Sequence, residues 1–193
     1  MGRSSKVQSE ANRAHLVDLA CRLFAEHGYD AVGLEEVATA AGQTRGAVYH
    51  HFGSKRGLFS AALAQVQASV AADVARAAAA EPDPWDGLVA GCHAFLDAAS
   101  SAGARRVMLV DGPAVLGWQE WRDVDAASSR RLLEEGLREL GEREVVVPDE
   151  VEALTTLLSG AMNEAALSLA EEGPSVRDAV HAGLDRLLTG LRR

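Results

Sequence analysis

Leu34 to Phe52 reads LEEVATAAGQTRGAVYHHF, and its internal spacing is that of two short helices joined by a tight turn. Val37 points inward, and Ala38 is small enough to let the second helix cross the first closely. Gly42 is free to take the positive φ that such a turn requires. Val48 and Phe52, four residues apart, anchor the second helix to the first and to Leu23 and Phe24 upstream. Thr44 stands at the start of the second helix as its N-cap. The spacing predicts helices over Leu34–Ala41 and Thr44–Phe52, separated by Gly42 and Gln43.

Fixing the inward face also fixes the outward one. Arg45, Gly46, Tyr49 and His50 fall opposite Val48, on the face that a helix-turn-helix presents to the major groove. Arg45 has the length and fork geometry to read O6 and N7 of a guanine. Thr44 and the free amides of the first turn suit a phosphate at the positive end of the helix. Gly46 lets backbone approach the duplex, while Tyr49, His51 and Lys55 are placed to hydrogen-bond or neutralise flanking phosphates. Taken one at a time, His50 and His51 also fit ordinary surface histidines, and Tyr49 a half-wetted core aromatic.

Charge narrows that choice. The 193-residue chain carries −9 overall, which by itself argues against nucleic acid. Residues 1–60, however, carry seven Lys or Arg against six Asp or Glu, and residues 61–193 carry twelve against twenty-two, so the two parts are +1 and −10. No acid occurs between Glu36 and Asp73, a window that contains Arg45, His50, His51, Lys55 and Arg56. An anionic partner for this window is expected.

On either side, caps and breakers cut the chain into helices. Leu16, Leu19, Ala20, Leu23 and Phe24 recur at helical spacing from about Ala11, with Gly28 as a left-handed C-cap. Ser54 opens a long alanine-rich helix toward Ala80; Asp83 caps another, with Pro84 in its first turn. A segment from Val107 to Asp111 is expected to end at Gly112 and Pro113, and a helix from Trp118 to Leu140 to close at Gly141. Val145–Val147 is a connector. Asp149 opens a helix reaching Glu172 and stopped by Gly173, and Ser175 with Asp178 has the spacing of a capping box that opens the last helix. The chain reads as all-α, with no repeat and no βαβ pattern.

Composition is that of a globular chain, 48% hydrophobic and 24% charged. The best candidate for a membrane helix, Ala61 to Ala72, is interrupted by Gln65, Gln67 and Ser69, so no membrane partner is expected; MGRSSK lacks the apolar run of a secretory signal, so the cytoplasm is the expected compartment. Cys21 and Cys92 have no Cys or His partner at a metal-ligand spacing. They are expected to be buried thiols, with neither a metal nor a cofactor bound.

The run Gly42-Gln43-Thr44-Arg45-Gly46-Ala47-Val48-Tyr49-His50-His51-Phe52, followed by Ser54-Lys55, closely resembles the N-terminal domain of the TetR family of bacterial transcriptional regulators. The resemblance covers about the first sixty residues. It implies a TetR-like all-α fold with a three-helix helix-turn-helix domain over 1–60, joined to a helical ligand-binding and dimerisation domain over 61–193. It further implies a homodimer on a palindromic double-stranded operator, more often as a repressor, controlled by a small-molecule effector, and no enzyme activity. By position, Thr44, Arg45, Gly46, Tyr49, His51 and Lys55 look like operator contacts, with His50 near the backbone. Four positions depart from the family: Gly33 stands where Ser or Thr often caps the first helix of the motif, Gln43 where an apolar residue is usual, and Arg56 and Gly57 where an acid often follows Lys55.

Arg105 to Asp125, RRVMLVDGPAVLGWQEWRDVD, resembles the C-terminal domain of one group of these regulators. Trp118, Trp121, Met108, Phe95 and Met162 are expected as apolar walls of a pocket, with His93, Asp111, Asn163 and Glu164 as polar contacts; each fits ordinary core or surface equally well. Val151, Leu154, Leu158, Ala161, Ala165 and Leu169 make one stripe and Val180, Leu184, Leu187 and Leu191 another. Ser159, Gly160 and Gly183 permit close helix approach. The stripes suit either a two-fold interface or an intramolecular core. Two other classes stay open: a helical enzyme around His93, Asp111 or Glu164, for which no nucleophile–base pair is present in sequence, and a helix-turn-helix scaffold that binds protein rather than DNA, or DNA without any small ligand.

Overall fold

The computed structural model describes residues 2–169 and 174–193, and side chains for 6–169 and 175–193. Helices α1 (Gly2–His27), α2 (Leu34–Ala40), α3 (Arg45–Phe52) and α4 (Lys55–Ala79) are followed by α5 (Pro84–Ala99) and α6 (Ala102–Arg105). A π-helical turn, Arg106–Asp111, leads into α7 (Gly112–Leu116), α8 (Trp118–Ala126) and α9 (Ser129–Glu142). A 3₁₀ turn, Pro148–Glu150, precedes α10 (Val151–Leu169) and α11 (Pro174–Thr189). The described residues contain no strand. Packing divides the chain into two units, Met1–Val66 with Arg106–Trp121, and Gln67–Arg105 with Arg122–Arg193.

The first unit closes around Leu16, Phe24, Val32, Val37, Val48, Leu58, Phe59 and Leu63, all buried. Phe24, Tyr29 and Phe59 meet with ring centroids 5.1–6.0 Å apart. Gly28, at φ 82°, ends α1 by returning its N–H to the Phe24 carbonyl at 2.9 Å. Segment 106–121 belongs to this unit through polar contacts that only tertiary packing creates. Arg106 Nη1 donates to the Glu26 and Ala25 carbonyls at the end of α1, at 2.5 and 3.3 Å. Asp111 Oδ2 accepts the Tyr29 N–H at 2.8 Å. Arg56 Nη2 donates to the Leu116 carbonyl at 3.1 Å and pairs with Glu120 at 2.6 Å. Arg56, one of the departures from the family, thus has a structural use.

In the second unit α9 is amphipathic: Leu133, Leu137 and Leu140 are buried while Arg131–Glu135 and Arg138–Glu134 pair along its outer side. Asp83 caps α5 as expected, its Oδ1 accepting the N–H of Trp85 and Asp86. His93 of α5 and His181 of α11 meet Nδ1 to Nδ1 at 2.5 Å, and their Nε2 atoms face Asp185 at 2.7 Å and Asp97 at 3.2 Å. One ring therefore donates to the other, and the cluster ties α11 to α5.

Several boundaries differ from the sequence reading. The helix expected over Trp118–Leu140 breaks at Ala127–Ser128, where the Ser128 hydroxyl lies 2.9 Å from both the Val124 carbonyl and Gln67 Oε1, competing with the helical bonds. It then continues past Gly141, whose lack of a side chain admits Pro148, 3.3 Å from where a Cβ would stand. Gly112 and Pro113 do not end a helix but begin one: the wide π turn delivers the chain to α7 with Pro113 in its first turn, where no N–H is needed. The helix expected from Asp149 starts with a 3₁₀ turn, and Ser175 lies inside the first turn of α11 rather than capping it. The expected end at Glu172 and stop at Gly173 lie outside the described residues.

Leu158 and Leu184 of the proposed stripes are buried within the second unit, as are Leu169 and Leu188. Leu157 and Leu187 instead stand exposed, at 68% and 57%. α4 alone among the described residues has the length and mean hydropathy, 1.3 in its most apolar window, of a membrane span; its Leu58, Phe59, Leu63 and Val74 are buried in the fold. Both cysteines are unpaired. Burial, with Asp18 adding to it, pushes the Cys21 thiol up to about 11, and burial pushes Cys92 up to about 12. The thiolate is the reactive form, so iodoacetamide at pH 8 is expected to label neither cysteine in the folded chain and both in denaturant, read by intact mass. Labelling of the native protein at the rate of a free thiol would contradict this.

Candidate nucleic-acid interface

The helix-turn-helix forms through local chemistry. Gly42, at φ 62°, turns the chain, and Gln43 returns its N–H to the Ala38 carbonyl at 2.9 Å. Gly33 caps α2 without a side-chain oxygen, so only the Glu36 half of a capping box forms, Gly33 N–H to Glu36 Oε2 at 3.4 Å. Thr44 Oγ1 accepts the Ala47 N–H at 3.2 Å, which leaves its own O–H to donate and the amides of Arg45 and Gly46 directed out of the helix start. Gly53, at φ 71°, closes α3 on the Tyr49 carbonyl.

Val48 alone of α3 is fully buried. Thr44, Arg45, Gly46, Tyr49 and His50 are exposed together, and His51 is half-buried. A Cβ at Gly46 would meet nothing nearer than Thr44 Oγ1 at 3.8 Å, so the fold itself does not call for glycine there. Among the described residues no acid pairs with Arg45. Lys55 is less free: Nζ donates to the Asp30 carbonyl at 3.2 Å and rests 4.3 Å from the Tyr29 ring centre, which holds the ammonium against the loop between α1 and α2 and leaves it donors to spare. The sequence reading missed Arg13, whose guanidinium lies 5.2 Å from the Phe52 ring centre; a cation one helix away from the motif carries no local signal.

The second unit holds a cavity of about 380 Å³. Phe95 and Met162, both expected on a pocket wall, line it. Asn163, Glu164 and His93 are not among its wall residues; Met108, Asp111, Trp118 and Trp121 belong to the first unit. There the Trp121 indole donates to the Met108 carbonyl at 2.7 Å and packs on Gly112, whose Cβ would stand 2.9 Å from the ring. Trp118 is exposed, its ring 5.0 Å from that of Trp121. The wall residues that sequence reading missed include Asp125, Ser129 and Arg130. Burial raises the Asp125 carboxyl above its usual range, against the opposing pull of Arg122 and Arg130.

Residues 16–62 match the model of bacterial regulatory proteins of the tetR family, and residues 85–191 that of the tetracyclin repressor-like C-terminal domain. The regulator AcrR of Shigella flexneri is 47% identical over 60 residues, 31% of this chain and 28% of that protein. The repressor AcnR of Corynebacterium glutamicum is 43% identical over 63 residues, a third of each. The chain thus spans a third or less of these curated relatives. A TetR-family transcriptional regulator of Pectobacterium atrosepticum is similar end to end, 31% identical with a TM-score of 0.78, over 100% of this chain and 98% of that one.

Proposed function

Since the chain belongs to the TetR family of bacterial transcriptional regulators, we propose that it binds a palindromic operator in the cytoplasm as a homodimer, as a repressor, and is released by a small molecule. The observation that carries the DNA reading is the face of α3: Thr44, Arg45, Gly46, Tyr49 and His50 are exposed together, within a stretch free of acids, on a helix whose inward side is taken by Val48. Arg45 reads a base. Thr44, Gly46, Tyr49, His50, His51 and Lys55 set the register through phosphates.

Arg45→Ala is expected to weaken operator binding by about 1–3 kcal/mol and to relax base preference at one position of each half-site. Lys55→Ala is expected to weaken all sequences alike and to lower the salt slope by about one ion. Selection of fragments from genomic DNA supplies the operator, and titrations on operator and random duplex at several salt concentrations separate the two effects. Equal losses on both duplexes for Arg45→Ala would remove it as a reader.

The homodimer reading rests on Leu157 of α10 and Leu187 of α11, large apolar side chains left in solvent on the last two helices. The effector reading rests on the cavity. α4 runs unbroken from Lys55 to Ala79, carrying Val74, Ala75 and Ala78 on the cavity wall. A ligand that prefers a conformation in which the two recognition helices no longer sit about 34 Å apart would lower operator affinity about 5- to 150-fold.

A further inference from the structure

One stretch of the cavity wall carries polar atoms that the fold leaves without partners. Ser129, 7% exposed, has no hydrogen-bond partner for its Oγ, and Arg130 has none for its buried Nε although its Nη2 donates to Thr156 Oγ1 at 3.2 Å. Both residues line the cavity. A buried donor left unmade is costly, so native folds rarely keep two side by side without a use. The partner suited to both is an oxygen that arrives with a ligand.

The rest of the wall says what kind of oxygen. Its apolar members include Val74, Leu88, Phe95, Leu133 and Met162. Its charged members are four carboxylates, Glu81, Asp83, Asp125 and Glu139, against two guanidiniums, Arg130 and Arg143. Three of the carboxylates are already engaged: Asp83 caps α5, Glu139 pairs with Arg143 at 2.8 Å, and Asp125 with Arg122 at 2.9 Å. Little is left to attract a cation. An incoming carboxylate at Arg130 would stand near the buried Asp125, two like charges in one poorly solvated site. The volume, about 380 Å³, lies at the small end of ligand pockets.

We propose that this cavity binds a small, neutral, mainly apolar molecule through one oxygen acceptor, the shared chemistry of alcohols, phenols and ketones, which takes hydrogen bonds from Ser129 Oγ–H and Arg130 Nε–H. The inference rests on the reading of this cavity as the effector site and narrows what that effector is.

Three probes of one shape test it by calorimetry on the full chain: naphthalene, 1-naphthol and 1-naphthoate, which carry no oxygen, a neutral oxygen and a carboxylate. 1-Naphthol is expected to bind about tenfold more tightly than either of the others. Ser129→Ala, which removes an unpartnered hydroxyl and is expected to melt no lower than the parent, should erase most of that advantage over naphthalene. Leu132→Trp, which adds an indole at a half-buried wall position, should abolish binding of all three. Naphthoate binding as tightly as naphthol would overturn the neutral ligand, and a preference for naphthol that survives Ser129→Ala would overturn the anchor. No binding by any probe, or binding that survives Leu132→Trp, would overturn the cavity as the ligand site and this inference with it. 1-Naphthol that binds as expected yet leaves operator affinity unchanged would overturn the control reading alone.

Discussion

Leu157→Glu together with Leu187→Glu is expected to give a folded monomer that binds the operator about a hundredfold more weakly, or worse. Both side chains stand in solvent in the single chain, 68% and 57% exposed, so glutamate there costs the fold little. Across a two-fold interface each would be repeated, burying several carboxylates close together. A monomer brings one α3 to DNA and loses half of the phosphate contacts on which affinity depends. Light scattering at micromolar concentration and helical circular dichroism check the two halves of the expectation. A dimer that persists would place the interface elsewhere. Leu158→Glu is the contrasting variant: Leu158 is buried within the unit, and a charge there should unfold it rather than divide a dimer.

Gly57→Ala is expected to destabilise the chain by about 3 kcal/mol and to cost DNA binding with it. A Cβ at Gly57 would stand 2.1 Å from the Phe52 carbonyl oxygen, and since that atom is backbone, no rotamer change relieves the clash. The junction between α3 and α4 must open, and the last turn of α3 carries His51 and Phe52. Gly33→Ser should do the reverse. No atom lies within 4 Å of a Cβ there, and the hydroxyl supplies the cap oxygen that α2 lacks, a gain of a few tenths of a kcal/mol. Thermal melts of the two variants, moving in opposite directions, check both; an unchanged melting temperature for Gly57→Ala would show that the corner yields. The two glycines are alike in sequence as departures from the family, and only their surroundings separate them.

The small use of charge follows the same lines. The acid-free window from Val37 to Ala72 is a fact of sequence, yet its cations serve different ends once folded. Arg45 is left in solvent, Lys55 is steadied by Asp30 and Tyr29, and Arg56 is turned onto the Val115 and Leu116 carbonyls and Glu120. Composition locates a basic segment; packing distributes its charges between structure and solvent.

Legible from the sequence alone is what lies within one or two helical turns. Thr44, Ser54 and Asp83 cap the helices that follow them, Gly28 and Gly42 take the positive φ their turns need, and Val37 and Val48 face inward, because each of these depends on neighbours three or four residues away. The exposed face of α3 follows from the same periodicity, which is why the residues proposed to meet DNA were legible before any packing was known. Tertiary packing, by contrast, sets which of two apolar faces a helix turns to its own core, and which distant side chains meet. α10 and α11 are apolar on more than one side, so periodicity alone could not tell buried Leu158 and Leu184 from exposed Leu157 and Leu187. The tryptophans suggested a pocket, but Trp121 closes on Met108 and Gly112, while the cavity forms where Gly87, Gly91 and Gly136 line the wall together with Ser129 and Arg130. Contacts between residues 80 or more apart in sequence, such as Arg106 on the Glu26 carbonyl or His93 on His181, leave no periodic trace, since their geometry is set by how whole helices pack and not by the spacing along any one of them.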